Sequence, residues 1–140
     1  MLQLILHGIG DYFLQTDKQA LGKKNKGLYG FMCCFKHCTT YSLPFLFIGS
    51  WKAVLVIFIT HFAIYRTNAL AYILAWKNGV KKKIKITTGG SFIPSYDKQV
   101  YDISNFGFGL NRPQFITIWL FIITDNLCHI ICNYLALKYL

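Results

Sequence analysis

The sequence contains no glutamate, and its acidic residues number five against fifteen lysines and arginines, for a formal net charge of +10. Charged residues make up only 14% of the chain, where a soluble domain carries about 25%. Hydrophobic residues reach 54% and aromatics 17%, and the mean hydropathy is positive. This balance argues against an ordinary soluble domain and for a polytopic membrane protein, and 140 residues suit a single domain.

Other absences narrow the chemistry. There is no Gly-rich phosphate loop, no GxSxG elbow and no HExxH helix, so phosphate-loop, serine-hydrolase and zincin schemes have no distinctive support. The five cysteines cannot all pair within one chain, which argues against a secreted disulfide scaffold. Cys34 with Cys38 and Cys128 with Cys132 are spaced one helical turn apart. Structural zinc motifs usually sit at turns with two-residue spacing, so apolar packing is the preferred reading of these thiols. No Lys or Arg precedes the first apolar run and no small-residue cleavage site follows it, so this run reads as mature protein and not as a signal peptide. No internal repeat is evident.

What is present organises into four apolar segments, at about 1–20, 28–48, 53–76 and 113–139. The expected fold is all-α, a polytopic transmembrane bundle of about four helices in one membrane domain, 1–140, with a polar extramembrane loop at about 77–112. The first segment is strongest over Met1–Thr16, which is short against the roughly 20 residues a span needs; it either extends toward Ala20 or sits tilted. Pro44 marks a kink in the second, Gly49 and Ser50 break the pattern, and Pro113 suits the first turn of the fourth. A short hairpin is expected around Gly89 and Gly90.

The lysines form two clusters, Lys18, Lys23, Lys24 and Lys26, then Lys77, Lys81, Lys82, Lys83 and Lys85. Basic clusters flanking apolar helices follow the positive-inside rule, so both loops are expected in the cytoplasm, with both termini outward. The same apolar background disfavours nucleic acid as a partner and favours the lipid bilayer; a homo-oligomer is compatible with the chain.

The histidines number four, one in each apolar segment: His7, His37, His61 and His129. Asp11 and Asp125 are the only acids outside loops. The spacing is helical. His7, Asp11 and Gln15 share a stripe, as do His37 with Tyr41, His61 with Tyr65, and Asp125 with His129 and Asn133. With a rise of about 1.5 Å per residue, all fall near the middle of a hydrocarbon core of about 30 Å, where they can converge. Ionisable groups there point to function, and imidazole with carboxylate suits a divalent metal such as zinc. The candidate ligands are His7, Asp11, His37, His61, Asp125 and His129. His7, Asp11, Asp125 and His129 are the candidate catalytic residues, with His37 and His61 as further ligands or proton carriers. An aspartate could instead orient a ligating histidine. The competing reading is a hydrogen-bonded network that only locks the bundle. Arg66 either snorkels to the interface or pairs with Asp11 or Asp125.

The stretches "HGIGDYFLQTDKQA", "HCTTYSLPF", "THFAIYRTNALAYILAWKN" and "WLFIITDNLCHIICNYLAL" resemble an uncharacterised family of small integral membrane proteins from bacteria and tailed phages, known only as a domain of unknown function. The likeness covers nearly the whole chain outside residues 86–112, and its linked H-x3-D-x3-Q and D-N-x2-H-x3-N patterns are specific together. It implies an integral protein of the bacterial inner membrane, possible phage origin, and no established activity. Similar members have aspartate where this chain has Tyr65, a poor metal ligand at neutral pH. The leading function is a metal-dependent intramembrane site with hydrolase-like chemistry on a lipid-linked or envelope substrate. The alternatives are a small transporter or channel component, and a non-catalytic phage protein that modifies the host membrane.

Overall fold

The computed structural model describes residues 1–78, 106, 108 and 113–140. The hairpin expected at Gly89 and Gly90, and Lys81, Lys82, Lys83 and Lys85, lie outside the described residues. Every regular element among the described residues is helical. The helices are α1 (Leu2–Gly8), α2 (Asp17–Gly22), α3 (Gly27–Ser42), α4 (Trp51–Thr67), α5 (Ala69–Lys77) and α6 (Gln114–Tyr139). A π-helical turn, Ile9–Phe13, follows α1, and a 3-10 turn, Leu43–Phe47, follows α3.

Among the described residues, only the fourth apolar segment forms one uninterrupted helix long and apolar enough to cross a bilayer, Phe115–Tyr139. Helices α4 and α5 pass the same test only when taken together. The first segment is not the continuous helix expected. Its α-helix widens into the π turn, and then Thr16 starts a new helix. The Thr16 hydroxyl accepts from the Gln19 backbone N–H (3.3 Å) and the Gln19 side chain accepts from the Thr16 N–H (2.8 Å). This capping box fixes a helix start, so α1 and α2 are separate pieces. The third segment also breaks. Asn68 stands at φ 51° as a left-handed cap to α4, a conformation asparagine tolerates. Pro44 falls in the 3-10 turn, where the kink was expected.

The chain divides into two compact units, residues 1–69 with 125–140, and residues 70–124. In the second, Asn78 donates to the Phe106 carbonyl (2.9 Å) and Phe106 stacks on Phe121, with ring centroids 4.3 Å apart. The first unit holds every candidate site residue. Its apolar core joins Leu6, Tyr41, Phe45, Ala53, Ile57 and Ala136. A second cluster packs Cys34, Cys38 and Tyr65 against Phe58 and Phe62, so these two thiols serve as packing groups. The polarity is inverted relative to a soluble domain. His7, Asp11, His37, His61, His129 and Asn133 are buried, while Leu4, Phe13, Phe47, Trp51, Ile59 and Ile131 are exposed.

The π turn meets α3 through a glycine. A Cβ on Gly10 would stand 2.5 Å from Tyr41 Cδ2, whereas one on Gly8 would meet nothing within 4 Å. Tyr41 is fully buried, its ring stacked on His61 and its hydroxyl bonded to His7 and Asn133, so moving it disturbs several contacts. Gly10→Ala is therefore expected to destabilise by about 1–3 kcal/mol through overpacking. Gly8→Ala should be neutral or slightly stabilising, since alanine is the better helix former. Thermal unfolding in detergent checks the pair; equal melting of the two variants would contradict this packing.

Candidate metal centre

Three elements each bring one ligand atom to a common point. The π turn carries Asp11, and such turns add a residue to the helix and recur at functional sites. Helix α3 carries His37, and α4 carries His61. Asp11 Oδ1 lies 3.2 Å from His37 Nε2 and 3.5 Å from His61 Nε2. The two Nε2 atoms are 3.0 Å apart. Ligands about 2.0–2.1 Å from a tetrahedral zinc ion stand about 3.3 Å from one another, so this triangle has the size of a metal face. All three residues are buried.

Protons alone satisfy this triangle poorly. One proton can lie between the two Nε2 atoms, but Asp11 Oδ1 is buried with no hydrogen-bond partner, and so are His37 Nδ1 and His61 Nδ1. A buried carboxylate oxygen whose contacts with His37 and His61 stop at ion-pair distance without a formed hydrogen bond is costly, and a cation at the centre of the triangle would satisfy it together with both imidazoles. Three protein ligands would leave a fourth tetrahedral position open.

The other expected site residues surround this group without joining it. His7 Nδ1 lies 3.6 Å from Asp11 Oδ2. Its Nε2 lies 2.7 Å from Asn126 Oδ1, an acceptor, so Nε2 carries the proton and Nδ1 accepts from the Tyr41 hydroxyl at 2.7 Å. Asn133 Nδ2 donates to the same hydroxyl at 2.7 Å. Tyr41 in turn lies flat on His61, with centroids 3.7 Å apart at 17°. His129 covers His61 as well, at 4.0 Å between centroids. Its Nε2 has no hydrogen-bond partner and lies 3.8 Å from Asp125 Oδ2. Asp125 is only half-buried. The group of three is thus Asp11, His37 and His61, while His7, Asp125 and His129 fall outside it.

Of the two cations near the site, Arg66 takes one of its two expected courses and Lys23 departs from expectation. Arg66 pairs with neither aspartate in a described contact; its Nη1 donates to the backbone carbonyls of Asn25 (2.8 Å) and Lys23 (3.4 Å). Lys23 leaves its basic cluster and turns inward. Its Nζ donates to Gln15 Oε1 at 2.6 Å and stands 3.7 Å from the Tyr65 ring centroid. Burial pushes the Lys23 pKa down, against the pull of the Asp11 and Asp125 charges. Helical spacing could reveal Gln15 and Asn133 beside the stripes. Asn126, three residues before His129 and part of the D-N-x2-H-x3-N pattern, was legible in the same way though not singled out, whereas spacing carried no sign of Lys23.

No family model, no curated protein and no solved structure matches the chain. The class rests on the geometry: a helical protein with a buried aspartate and two histidines placed to bind a metal ion.

Proposed function

We propose that the chain is an integral membrane protein of the bacterial inner membrane whose Asp11, His37 and His61 hold one divalent metal, zinc by first choice, for hydrolysis of a lipid-linked or envelope substrate. The observation that carries this reading is the triangle of 3.0, 3.2 and 3.5 Å between the three ligand atoms, with one corner a buried carboxylate oxygen lacking any hydrogen bond. The inverted polarity of the first unit supports the membrane setting, because lipid accepts exposed leucine and phenylalanine and rejects exposed aspartate. A metal with an open position would lower the pKa of a bound water and polarise a carbonyl or phosphoryl oxygen. Two histidines and one carboxylate also suit non-haem iron(II), so metal identity decides the reaction class.

Element analysis of the detergent-purified chain tests this. About one zinc per chain is expected from the one three-ligand group among the described residues. Iron in its place would move the reading from hydrolysis to redox chemistry, and absence of any metal at neutral pH after zinc loading would end it. One observation favours the transporter reading. A line of hydrogen bonds runs from exposed Tyr12 through Asn126 and His7 to buried Tyr41 and Asn133. Metal-free protein that carries a pH-dependent ion flux in vesicles would put that reading first.

A further inference from the structure

A groove of about 600 Å³ opens on the surface of the first unit. It is lined by Leu14 at the end of the π turn, Thr40 on α3, and Leu43, Pro44, Leu46 and Phe47 of the 3-10 turn. That volume lies within the roughly 300–1,000 Å³ of small-molecule sites. Thr40 brings the lining's one side-chain hydroxyl, and it donates to the Lys36 and His37 carbonyls at 3.1 and 3.0 Å. The groove is therefore apolar, and its leucines and Phe47 are exposed. Lys36 stands at the end nearer Gly27. Residues 36, 40 and 43 share one face of α3, and Lys36 is exposed there. The ion pairs among the described residues are all made by histidines, and Lys36 is in none of them.

We infer that this groove binds one anionic phospholipid, with an acyl chain along the groove and the headgroup phosphate on the Lys36 ammonium. The inference rests on the membrane setting of the proposed function and not on its metal. Charge complementarity selects the occupant. Lys36 lies nine residues beyond Gly27, about 13 Å along α3 at 1.5 Å per residue. An ammonium that far into an apolar helix is costly, and its stem carries it only part of the way to the interface. A lipid phosphate brought to it supplies the missing countercharge through charge-assisted hydrogen bonds. The groove then takes the chain attached to that phosphate, and each methylene that leaves water adds about 0.8 kcal/mol for a lipid arriving from solution. A zwitterionic lipid fills the groove equally well but brings Lys36 no net negative charge.

The test is native mass spectrometry of the full chain in maltoside detergent, titrated with phosphatidylglycerol or with phosphatidylcholine of the same acyl chains. A single tightly retained lipid is expected, with phosphatidylglycerol favoured. Lys36→Met should erase that preference, weakening phosphatidylglycerol by about 10–100-fold, as loss of a hydrogen bond between charged groups does. Lys36→Arg, which keeps the charge, should keep the preference and guards against a variant that fails to fold. Thr40→Phe, which fills the groove, should displace both lipids. Lys26→Met, in the basic loop, should change neither. Equal retention of the two lipids overturns the inference. So does phosphatidylglycerol that survives Lys36→Met or Thr40→Phe, or that is lost as fully in Lys26→Met. A stable dimer that excludes lipid overturns it too, and would make the groove an interface between copies. Element analysis on the same preparations keeps the two readings apart. No groove residue is a ligand, so Lys36→Met should hold as much metal as wild type, and a metal-free chain that still selects phosphatidylglycerol removes the metal reading alone.

Discussion

Asp11→Asn is expected to strip the metal from the purified protein, with His61→Gln doing the same. Asparagine has nearly the shape of aspartate but brings no negative charge, so the triangle keeps its outline and loses the corner that most requires a cation. Loss of a ligand should exceed the about 10–100-fold loss that follows from disturbing a group behind the ligands. Asp125→Asn provides the contrast. Asp125 lies outside the ligand group, 3.8 Å from His129 Nε2, so its replacement should leave about one metal per chain in place. The pH dependence has a definite sign. Binding requires neutral imidazoles and an ionised carboxylate, so protons compete with the metal and affinity falls as pH drops. With two imidazoles, the apparent Kd should rise by up to about 100-fold per pH unit once the pH has fallen far enough to protonate both. Competition against a chromophoric chelator measures both effects. Equal metal content in wild type and Asp11→Asn would show that the group is a structural network.

The helical stripes were readable because their cause is local. A period of 3.6 puts residues four apart on one face whatever the helix later packs against, so His7 with Asp11, and Asp125 with His129, were visible as pairs. Helical angle gives the face and not the crossing point. The ranking of ligands therefore depended on tertiary placement, which brought His37 and His61 onto Asp11 and set Asp125 aside. Segment limits were readable for α6 and less so for the first segment, although Thr16 and Gln19 already spelled the capping box that interrupts it. Lys23 was misplaced for a different reason. Charge pattern assigns lysines to loops, and the loop was correct, but a four-carbon stem lets the ammonium reach inward to Tyr65 once Arg66 has fixed the backbone.

Tyr41→Phe should cost about 2–5 kcal/mol of stability while leaving the metal in place. The hydroxyl of Tyr41 is fully buried and occupied on both sides, accepting from Asn133 Nδ2 and donating to His7 Nδ1. Phenylalanine would abandon both partners. Asn133 and His7 are themselves buried, and each orphaned group costs roughly 1–3 kcal/mol. The ring that lies on His61 survives the substitution, so the face of the ligand remains covered and its orientation is kept. Asp11 Oδ2, 3.6 Å from His7 Nδ1, offers no relief to a ring whose Nδ1 is an acceptor, unless His7 shifts its proton and gives up Asn126. Stability by thermal unfolding and metal stoichiometry by element analysis, measured on the same preparation, separate the two roles. Tyr41→Leu, which also removes the ring, should lose metal affinity in addition to stability. A Tyr41→Phe protein as stable as wild type would mean that the hydroxyl network does not hold the bundle, and a metal-free Tyr41→Phe protein would move Tyr41 from support to the coordination of the ion itself.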